Sequence, residues 1–367
     1  MRQFAGNRAF AIGLGLPLSL GLLLSSTTSI AYSQSLREMA ENKVGKESQL
    51  WIAEPGDTSL NRWDPRELFE DSGIVLEWDS QKIVLIRPDA ASPATIPGDY
   101  VVRIEPAWAN ENGAKIHRLY SERQYKLVVI KGQEIVTSAS KSGLPPWQLR
   151  VILAEMVESS SALGKPGIAG KVFVALANYN PPQLLLATIP LPWGESAFSE
   201  AGLPEIQSLS EEWISQENEA VQLLGAAWLL SGVKRPLAIE TLNRLAKTSK
   251  SPFISAYART QLWRIAPPAE VLSDRLPGWL SERDKLLLPL QAGPTMLLAE
   301  RLQQAGQSNL AIPEWLRIAT LHSDRYHLAI KAIPKASAAL RDAGRKEEAD
   351  RVQSLLDRYK TDANGKK

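Results

Sequence analysis

Three glycines are each followed by the same spacing of residues, and this repetition limits the possible folds more than any other feature. In each unit a glycine is followed by further matching residues five, nine and twelve positions later. The three sets are Gly164, Ala169, Phe173 and Leu176; Gly306, Ala311, Trp315 and Ile318; and Gly344, Ala349, Gln353 and Leu356. Glycine readily adopts the left-handed backbone that ends many helices, and apolar residues on helical spacing precede each one. The pattern therefore predicts a helix, a tight turn and a second helix, repeated along the chain. Such units bury apolar faces against their neighbours and leave a curved surface for a partner.

The unit around Gly306 resembles the tetratricopeptide repeat. Its matching residues are Leu298, Ala299, Leu302, Gly306, Ala311, Trp315 and Ile318; the last unit matches with Ala336, Ser337, Leu340, Gly344, Ala349, Gln353 and Leu356, and an earlier one with Met156, Val157, Ser160, Gly164, Ala169, Phe173 and Leu176. Gln353 stands where the family has an aromatic residue, as expected of a terminal cap with a polar outer face. The layout is also similar to exported bacterial proteins that place a small β domain before a divergent helical-repeat region. The resemblance implies a mainly α-helical solenoid and no particular activity.

The first 33 residues have the three regions of a secretory signal peptide. Arg2 and Arg8 form a positive head, residues 9–26 are an apolar run of 18, and a polar stretch with small residues ends at Ala31 or Ser33. This order predicts export with cleavage near Ala31 or Ser33, and hence a periplasmic or secreted protein. An uncleaved membrane anchor is the alternative, because such a run nearly spans a bilayer. No later segment is apolar for long enough to cross a membrane.

The charge balance and the absence of cysteine argue against several classes of protein. Of 42 basic residues, Arg2 and Arg8 precede the predicted cleavage, which leaves 40 basic residues against 40 acidic ones. Nucleic-acid-binding proteins usually carry a basic excess on their folded part, so no nucleic-acid partner is expected. Because there is no cysteine, the chain has no thiol nucleophile or thiolate metal site. An exported fold without disulfides must be stabilised by its core.

The regions after the signal peptide differ in periodicity. Residues 34–47 are predicted to be a linker, and residues 48–107 a small antiparallel sheet or barrel with strands over residues 49–53, 74–78, 82–87 and 100–105. The helical regions predicted beyond it are residues 108–182 (a degraded and a clear repeat-like helix pair), 183–204 (a proline-rich connector), 205–290 (a HEAT-like array), 291–360 (two further repeats) and 361–367 (a polar tail). Residues 125–130 fit either a strand or the second helix of the degraded pair.

Groupings of catalytic or metal-binding residues are weak in this sequence. His322, Asp324 and His327 lie close together, but a spacing of five does not align two histidines on one helix face. Metal sites usually need three or four convergent ligands. There is no Gly-rich phosphate loop, nucleophile elbow or His-Glu-x-x-His motif. We therefore predict a protein that is not an enzyme and binds no metal or cofactor.

The eleven tryptophans raise the question of sugar binding. Most tryptophans serve cores or anchor loops, since buried aromatic residues dominate core energetics. Trp147 and Trp193 stand beside prolines in connecting segments, and they are the better candidates for an exposed role.

Polar residues of the first helix in each pair are predicted to point into a shared groove. The candidates for binding a partner are Glu158, Ser161, Glu300, Gln303 and Arg341. They would hydrogen-bond an extended peptide or a helix, while apolar neighbours supply contact area. The leading hypothesis is an exported, non-catalytic scaffold that binds a protein or peptide partner through this concave surface. The alternative is a cell-envelope or polysaccharide-associated binding module led by the β domain.

Overall fold

A computed structural model describes residues 46–53, 68–88, 90, 92–138, 143–194, 203–267, 275–286, 288–323 and 325–364. Over these residues the protein is mainly helical, with fourteen α-helices that follow a five-stranded antiparallel sheet. The prediction of a mainly α-helical protein preceded by a small antiparallel β domain is confirmed. The predicted signal peptide and most of the predicted linker lie outside the described residues.

The sheet contains five strands in the hydrogen-bonded order β4-β3-β2-β1-β5. The strands are β1 (Ser48–Ala53), β2 (Leu68–Trp78), β3 (Lys82–Ile86), β4 (Ala94–Pro97) and β5 (Val101–Glu105). The long strand β2 serves two neighbours, because its first half pairs with β1 and its second half with β3. Gly73 lies where β2 changes neighbour, and a Cβ there would come within 2.6 Å of the Ile86 carbonyl oxygen. A side chain at this position would therefore push the strands apart.

Strand β2 begins six residues before the predicted start at Ile74. Its first half contains three consecutive polar residues, Glu70 to Ser72, and the two carboxylates are paired across the sheet. The Asp71 carboxylate accepts two hydrogen bonds at Oδ2 from Arg87, at 2.7 Å from Nη2 and 2.9 Å from Nε. Such cross-strand charge pairs stabilise a sheet. They do not produce the alternation of apolar and polar residues by which a strand is recognised in a sequence.

The helices are numbered here in chain order. They are α1 (Glu111–Ser121), α2 (Tyr125–Thr137), α3 (Pro146–Ala162), α4 (Pro166–Ala177), α5 (Gln183–Leu186), α6 (Pro204–Ile214), α7 (Glu219–Leu229), α8 (Arg235–Thr248), α9 (Pro252–Leu262), α10 (Leu276–Asp284), α11 (Ala292–Gln304), α12 (Ser308–Leu321), α13 (Tyr326–Asp342) and α14 (Lys346–Asn364). Helix α14 continues into the predicted polar tail. Asn218 and Ser251 cap α7 and α9 by accepting backbone N–H groups of their first turns.

Four helix pairs share one turn geometry. The turns centre on Gly164, Gly306 and Gly344, with φ of +65°, +74° and +76°, and on Arg123, with φ of +58°. In each turn the next residue donates its N–H to the carbonyl five positions earlier; these bonds are Gln124 to Leu119, Lys165 to Ser160, Gln307 to Leu302 and Arg345 to Leu340, at 2.8–2.9 Å. This is the backbone bonding of a left-handed helix cap. The left-handed glycines are thus confirmed, and the strand alternative for residues 125–130 is wrong.

The first helix pair follows the same spacing with different residues. Counting from Arg123, the alanine position holds Val128 and the aromatic position holds Gly132. A Cβ on Gly132 would lie 2.5 Å from the Met156 sulfur, so Met156 of α3 occupies the space that a side chain would fill. Substitution at these key positions explains why the sequence indicates only a degraded pair here.

The predicted connector is part of the core. Of the predicted connector, residues 183–204, the segment 195–202 lies outside the described residues. Residues 181–194, called the connector below, follow α4 in the chain, and all residues from Ile189 to Gly194 are buried. The Trp228 indole Nε1 donates to the Pro190 carbonyl at 2.9 Å. A Cβ on Gly293 of α11 would come within 2.2 Å of the Trp193 ring. Trp147 and Trp193, the better candidates for an exposed role, are both buried, as core use of the tryptophans predicts.

The sheet and the helices share one continuous hydrophobic core. Trp147 of α3 fills the boundary and donates from Nε1 to the Val75 carbonyl of β2 at 3.0 Å. At the other end of the chain, α13 packs against α3 as well as against α11. The described helices include none that is long and apolar enough to cross a membrane.

Candidate functional site

The first helices of the four pairs place polar side chains at matched positions. Six residues before each turn stand His117, Glu158, Glu300 and Ala338, and three residues before it stand Tyr120, Ser161, Gln303 and Arg341. These positions are one helical turn apart and lie on one face of each helix. Three of the four first helices carry a polar side chain six residues before the turn, and Ala338 takes that place in the fourth. The packing around each helix decides which of these residues meet.

Glu158 of α3 is the centre of a buried ion cluster. Its Oε1 accepts from Nη1 of Arg325, which directly precedes α13, and its Oε2 lies 3.1 Å from Nδ1 of His327. Burial alone raises the pKa of Glu158, but the charges and hydrogen bonds of Arg325 and His327 outweigh it and lower the pKa to about 2. The carboxylate is therefore ionised at neutral pH and joins α3 to the last helix pairs.

A second carboxylate lies one helical turn away, on Glu155. Its Oε1 is 2.5 Å from Nδ1 of His117. Burial raises the pKa of Glu155, although its bond to His117 acts in the opposite direction. For His117, burial lowers the pKa, and the hydrogen bond and charge of Glu155 more than offset this, so the pKa is raised. Glu155 Oε2 is buried and has no hydrogen-bond partner in the described structure.

Three cavities surround these groups. One of about 180 Å³ is lined by Tyr120, Val151, Ala154, Glu155, Glu158, Leu185, Thr188 and Arg325. One of about 60 Å³ lies between Ser161, the connector, Met296 and the start of α13. A third of about 20 Å³ lies between Glu158, Trp193, Tyr257 and His327. Together they form what we call the central cleft, which is bounded by α3, the connector, α11 and α13.

The structure brings two of the five predicted binding residues to this cleft, and a third lies behind its wall. Glu158 and Ser161 line it, and Glu300 lies behind Gly194 of the connector, where a Cβ would be 3.4 Å from its Oε1. Glu300 is itself buried and pairs with Lys335 of α13 at 2.8 Å.

The other two predicted residues have different surroundings. Gln303 is half-buried, and its Oε1 has no hydrogen-bond partner among the described residues. Arg341 is exposed and pairs with Asp350 of α14 at 3.0 Å. Its guanidinium therefore joins the last two helices on the surface.

The two C-terminal histidines have separate environments. His327 contacts Glu158, whereas His322 is buried at the end of α12. Burial and the nearby positive charges of Arg317, Arg325 and Arg283 lower the pKa of His322 to about 4. The described residues contain no group of three or more histidine, aspartate or glutamate side chains arranged to hold a metal ion. Asp324 lies outside the described residues.

The binding residues predicted from the sequence do not include His117, Tyr120, Glu155 or Arg325. The first two belong to the pair whose turn residue is Arg123, and a search that allowed a non-glycine turn would have aligned them with Glu158 and Ser161. Glu155 and Arg325 carry no sequence signal, because their role depends on packing between distant helices.

Comparison with protein-family models, with curated proteins and with solved structures found no match to this chain.

Proposed function

We propose that this protein is an exported, non-catalytic scaffold that binds a polypeptide segment of a partner in the central cleft. On this proposal the helix pairs form a divergent α-solenoid of the tetratricopeptide kind, and its concave side is the cleft. The matched first-helix positions support the proposal, because they deliver His117, Tyr120, Glu158 and Ser161 to one region. Export is inferred from the predicted signal peptide over residues 1–33.

The observation that supports the proposal most strongly is the position of the connector against the helices. This proline-containing segment lies against the first helices α3, α11 and α13, where it lines one of the cavities of the cleft. Trp228 donates to one of its backbone carbonyls, and Trp193 fills the space above Gly293. A surface that holds an irregular piece of its own chain has the shape and hydrogen-bonding groups that a second polypeptide segment needs.

The cavity beside Ser161 gives a direct test. Replacing Ser161 with tryptophan would fill this space of about 60 Å³ without removing any ion pair. A matched control is Lys171→Trp, since Lys171 is exposed on α4. Peptides are first selected from a random displayed library on the full-length protein, and their Kd values are then measured by calorimetry on both variants.

We expect the selected peptides to lose binding to Ser161→Trp and to keep it with Lys171→Trp. Failure of the library to yield any peptide, or equal affinity for both variants, would overturn the proposal. Because the sheet and the helices share one core, the full chain is used rather than a fragment.

A further inference from the structure

The cavity of about 180 Å³ in the central cleft is lined in part by Glu155, a carboxylate with an unsatisfied hydrogen-bond acceptor. Glu155 is almost completely buried, and its carboxylate is held in place by His117 at Oε1. The other oxygen, Oε2, has no hydrogen-bond partner in the described part of the chain. A buried carboxylate oxygen without a donor is costly. The wall of the cavity therefore favours a ligand that supplies a donor.

The neighbouring charges determine whether that ligand should be positively or negatively charged. Arg325 also lines the cavity, but its guanidinium is already bound to the Glu158 carboxylate. An anionic ligand would have to compete with Glu158 for that guanidinium and would face the Glu155 carboxylate. A cationic donor would instead pair with the Glu155 carboxylate without breaking an existing ion pair, after a small rotation of the carboxylate that turns the buried Oε2 toward the cavity.

The geometry of the Glu155 carboxylate and the apolar walls of the cavity distinguish between two kinds of cation, a guanidinium and an ammonium group. A guanidinium binds best to both oxygens of one carboxylate, and here one oxygen is occupied by His117. A single oxygen suits an ammonium group, which acts as a compact point charge. Val151, Ala154 and Leu185 form apolar walls against which methylene groups can pack. The geometry points to a pocket for a primary ammonium group on an alkyl stem, bound by Glu155.

This inference rests on the proposed function only for the origin of the ammonium group. A lysine side chain of the bound polypeptide and a free alkylamine offer the same chemistry. The two sources differ in whether peptide groups flank the stem, and a titration with both kinds of probe separates them.

His117 makes the pocket sensitive to pH. A protonated His117 neutralises Glu155, whereas a neutral His117 leaves the negative charge for the ligand. The other titratable or charged groups that face this pair are Tyr120 and Glu158, which line the cavity, Arg325, which is bound to Glu158, and Glu105, which acts on His117. Affinity for an ammonium group is therefore expected to rise as His117 loses its proton.

The test is an NMR titration of the full-length protein with n-butylammonium and with the peptide acetyl-Gly-Lys-Gly-amide. The same peptide with an acetylated lysine side chain serves as the uncharged probe. Glu155→Gln keeps the shape of the side chain and removes its charge, and Glu240→Gln on the exposed face of α8 is the matched control. His117→Asn reports on the pH dependence.

We expect Glu155→Gln to weaken binding by about tenfold or more, as for loss of a charge-assisted hydrogen bond, and Glu240→Gln to leave it unchanged. Affinity should rise in the wild type as the pH increases above about 6.5, the ordinary pKa of histidine, because the pKa of His117 is raised, and it should stay level in His117→Asn. Binding of the lysine peptide alone assigns the pocket to a side chain, and equal binding of butylammonium assigns it to a free amine.

Two results would overturn the inference. One is equal affinity of the wild type for the lysine and acetyl-lysine peptides, which decides the matter even if Glu155→Gln does not fold. The other is equal affinity of Glu155→Gln and Glu240→Gln for the lysine peptide. If the selected peptides still lose binding to Ser161→Trp in either case, the scaffold function stands without this pocket.

Discussion

Arg325 donates to the carboxylate of Glu158 although 167 residues separate them in the chain. Both groups are buried, and the pair joins α3 of the first clear helix pair to the segment that leads into α13. Through this contact the early and late helices enclose the cleft. The pair is thus a structural link, and it also fixes the wall of the proposed ammonium pocket.

Replacing Glu158 with glutamine should destabilise the protein by about 3–5 kcal/mol, because Arg325 would remain buried without its counter-charge. Urea unfolding followed by circular dichroism measures this loss. Adding Arg325→Met should recover part of it, since removing both charges is less costly than removing one. The control is Glu134→Gln, which breaks an exposed pair with Lys131 and should change stability by no more than about 0.5 kcal/mol. Similar losses in Glu158→Gln and Glu134→Gln would contradict this account.

The same pair should dominate one part of the acid unfolding curve. Burial on its own raises the pKa of Glu158, but Arg325 and His327 lower it to about 2, whereas an unfolded glutamate has a pKa of about 4.3. A lowered pKa stabilises the folded state above the unfolded value, and this contribution is lost as the pH falls through the folded value. The wild type should therefore lose about 3 kcal/mol of its advantage over Glu158→Gln as the pH falls from about 5 to about 1. An advantage that stayed constant over this range would show that folding does not lower the pKa of Glu158.

The left-handed turns give a prediction about backbone conformation alone. Gly306 has φ of +74° and no atom within 4 Å of the position that a methyl group would take, while Gly278 in α10 has equally open surroundings and no positive φ. Gly306→Ala should cost about 1–2 kcal/mol, because a left-handed conformation is unfavourable for alanine. Gly278→Ala should instead stabilise the helix by about 0.5–1 kcal/mol. Thermal unfolding of the two variants compares them directly, and shifts of the same sign would reject the turn assignment.

The packing of the connector against α11 can be tested by adding a methyl group at the contact between them. Gly293→Ala would place a methyl group within 2.2 Å of the Trp193 ring and should destabilise the protein by about 1–3 kcal/mol. Trp193→Leu should also destabilise it, through the cavity that it leaves. In the double variant the methyl group finds space, so the combined loss should be smaller than the sum of the two single losses. Strict additivity in chemical denaturation would mean that the two residues do not touch.

Sequence analysis could predict the elements that depend on local chemistry. The glycine turns at Gly164, Gly306 and Gly344 were predictable because each combines a left-handed backbone with helical spacing on both sides. Arg123 adopts the same conformation without being glycine, so its helix pair remained ambiguous. The first half of β2 was missed for a related reason, since Asp71 is satisfied by Arg87 rather than by apolar burial.

The site was less predictable than the fold because it depends on where distant helices meet. Glu158 and Ser161 were found from their place on a first helix, and both reach the cleft. Periodicity could not show that Arg325 returns to Glu158, because the path of the chain between them sets that contact. The same limit applies to the connector, whose apolar residues indicated burial but not the helices that bury it.

The contact between α3 and α13 also restricts how this chain can change in length. In an open array each unit touches only its neighbours, so a helix pair can be duplicated or deleted with little effect elsewhere. Here an inserted pair between them would move Arg325 away from Glu158 and take a counter-charge from a buried carboxylate. Evolution of this protein should therefore favour substitutions within a constant number of helix pairs over gain or loss of whole units.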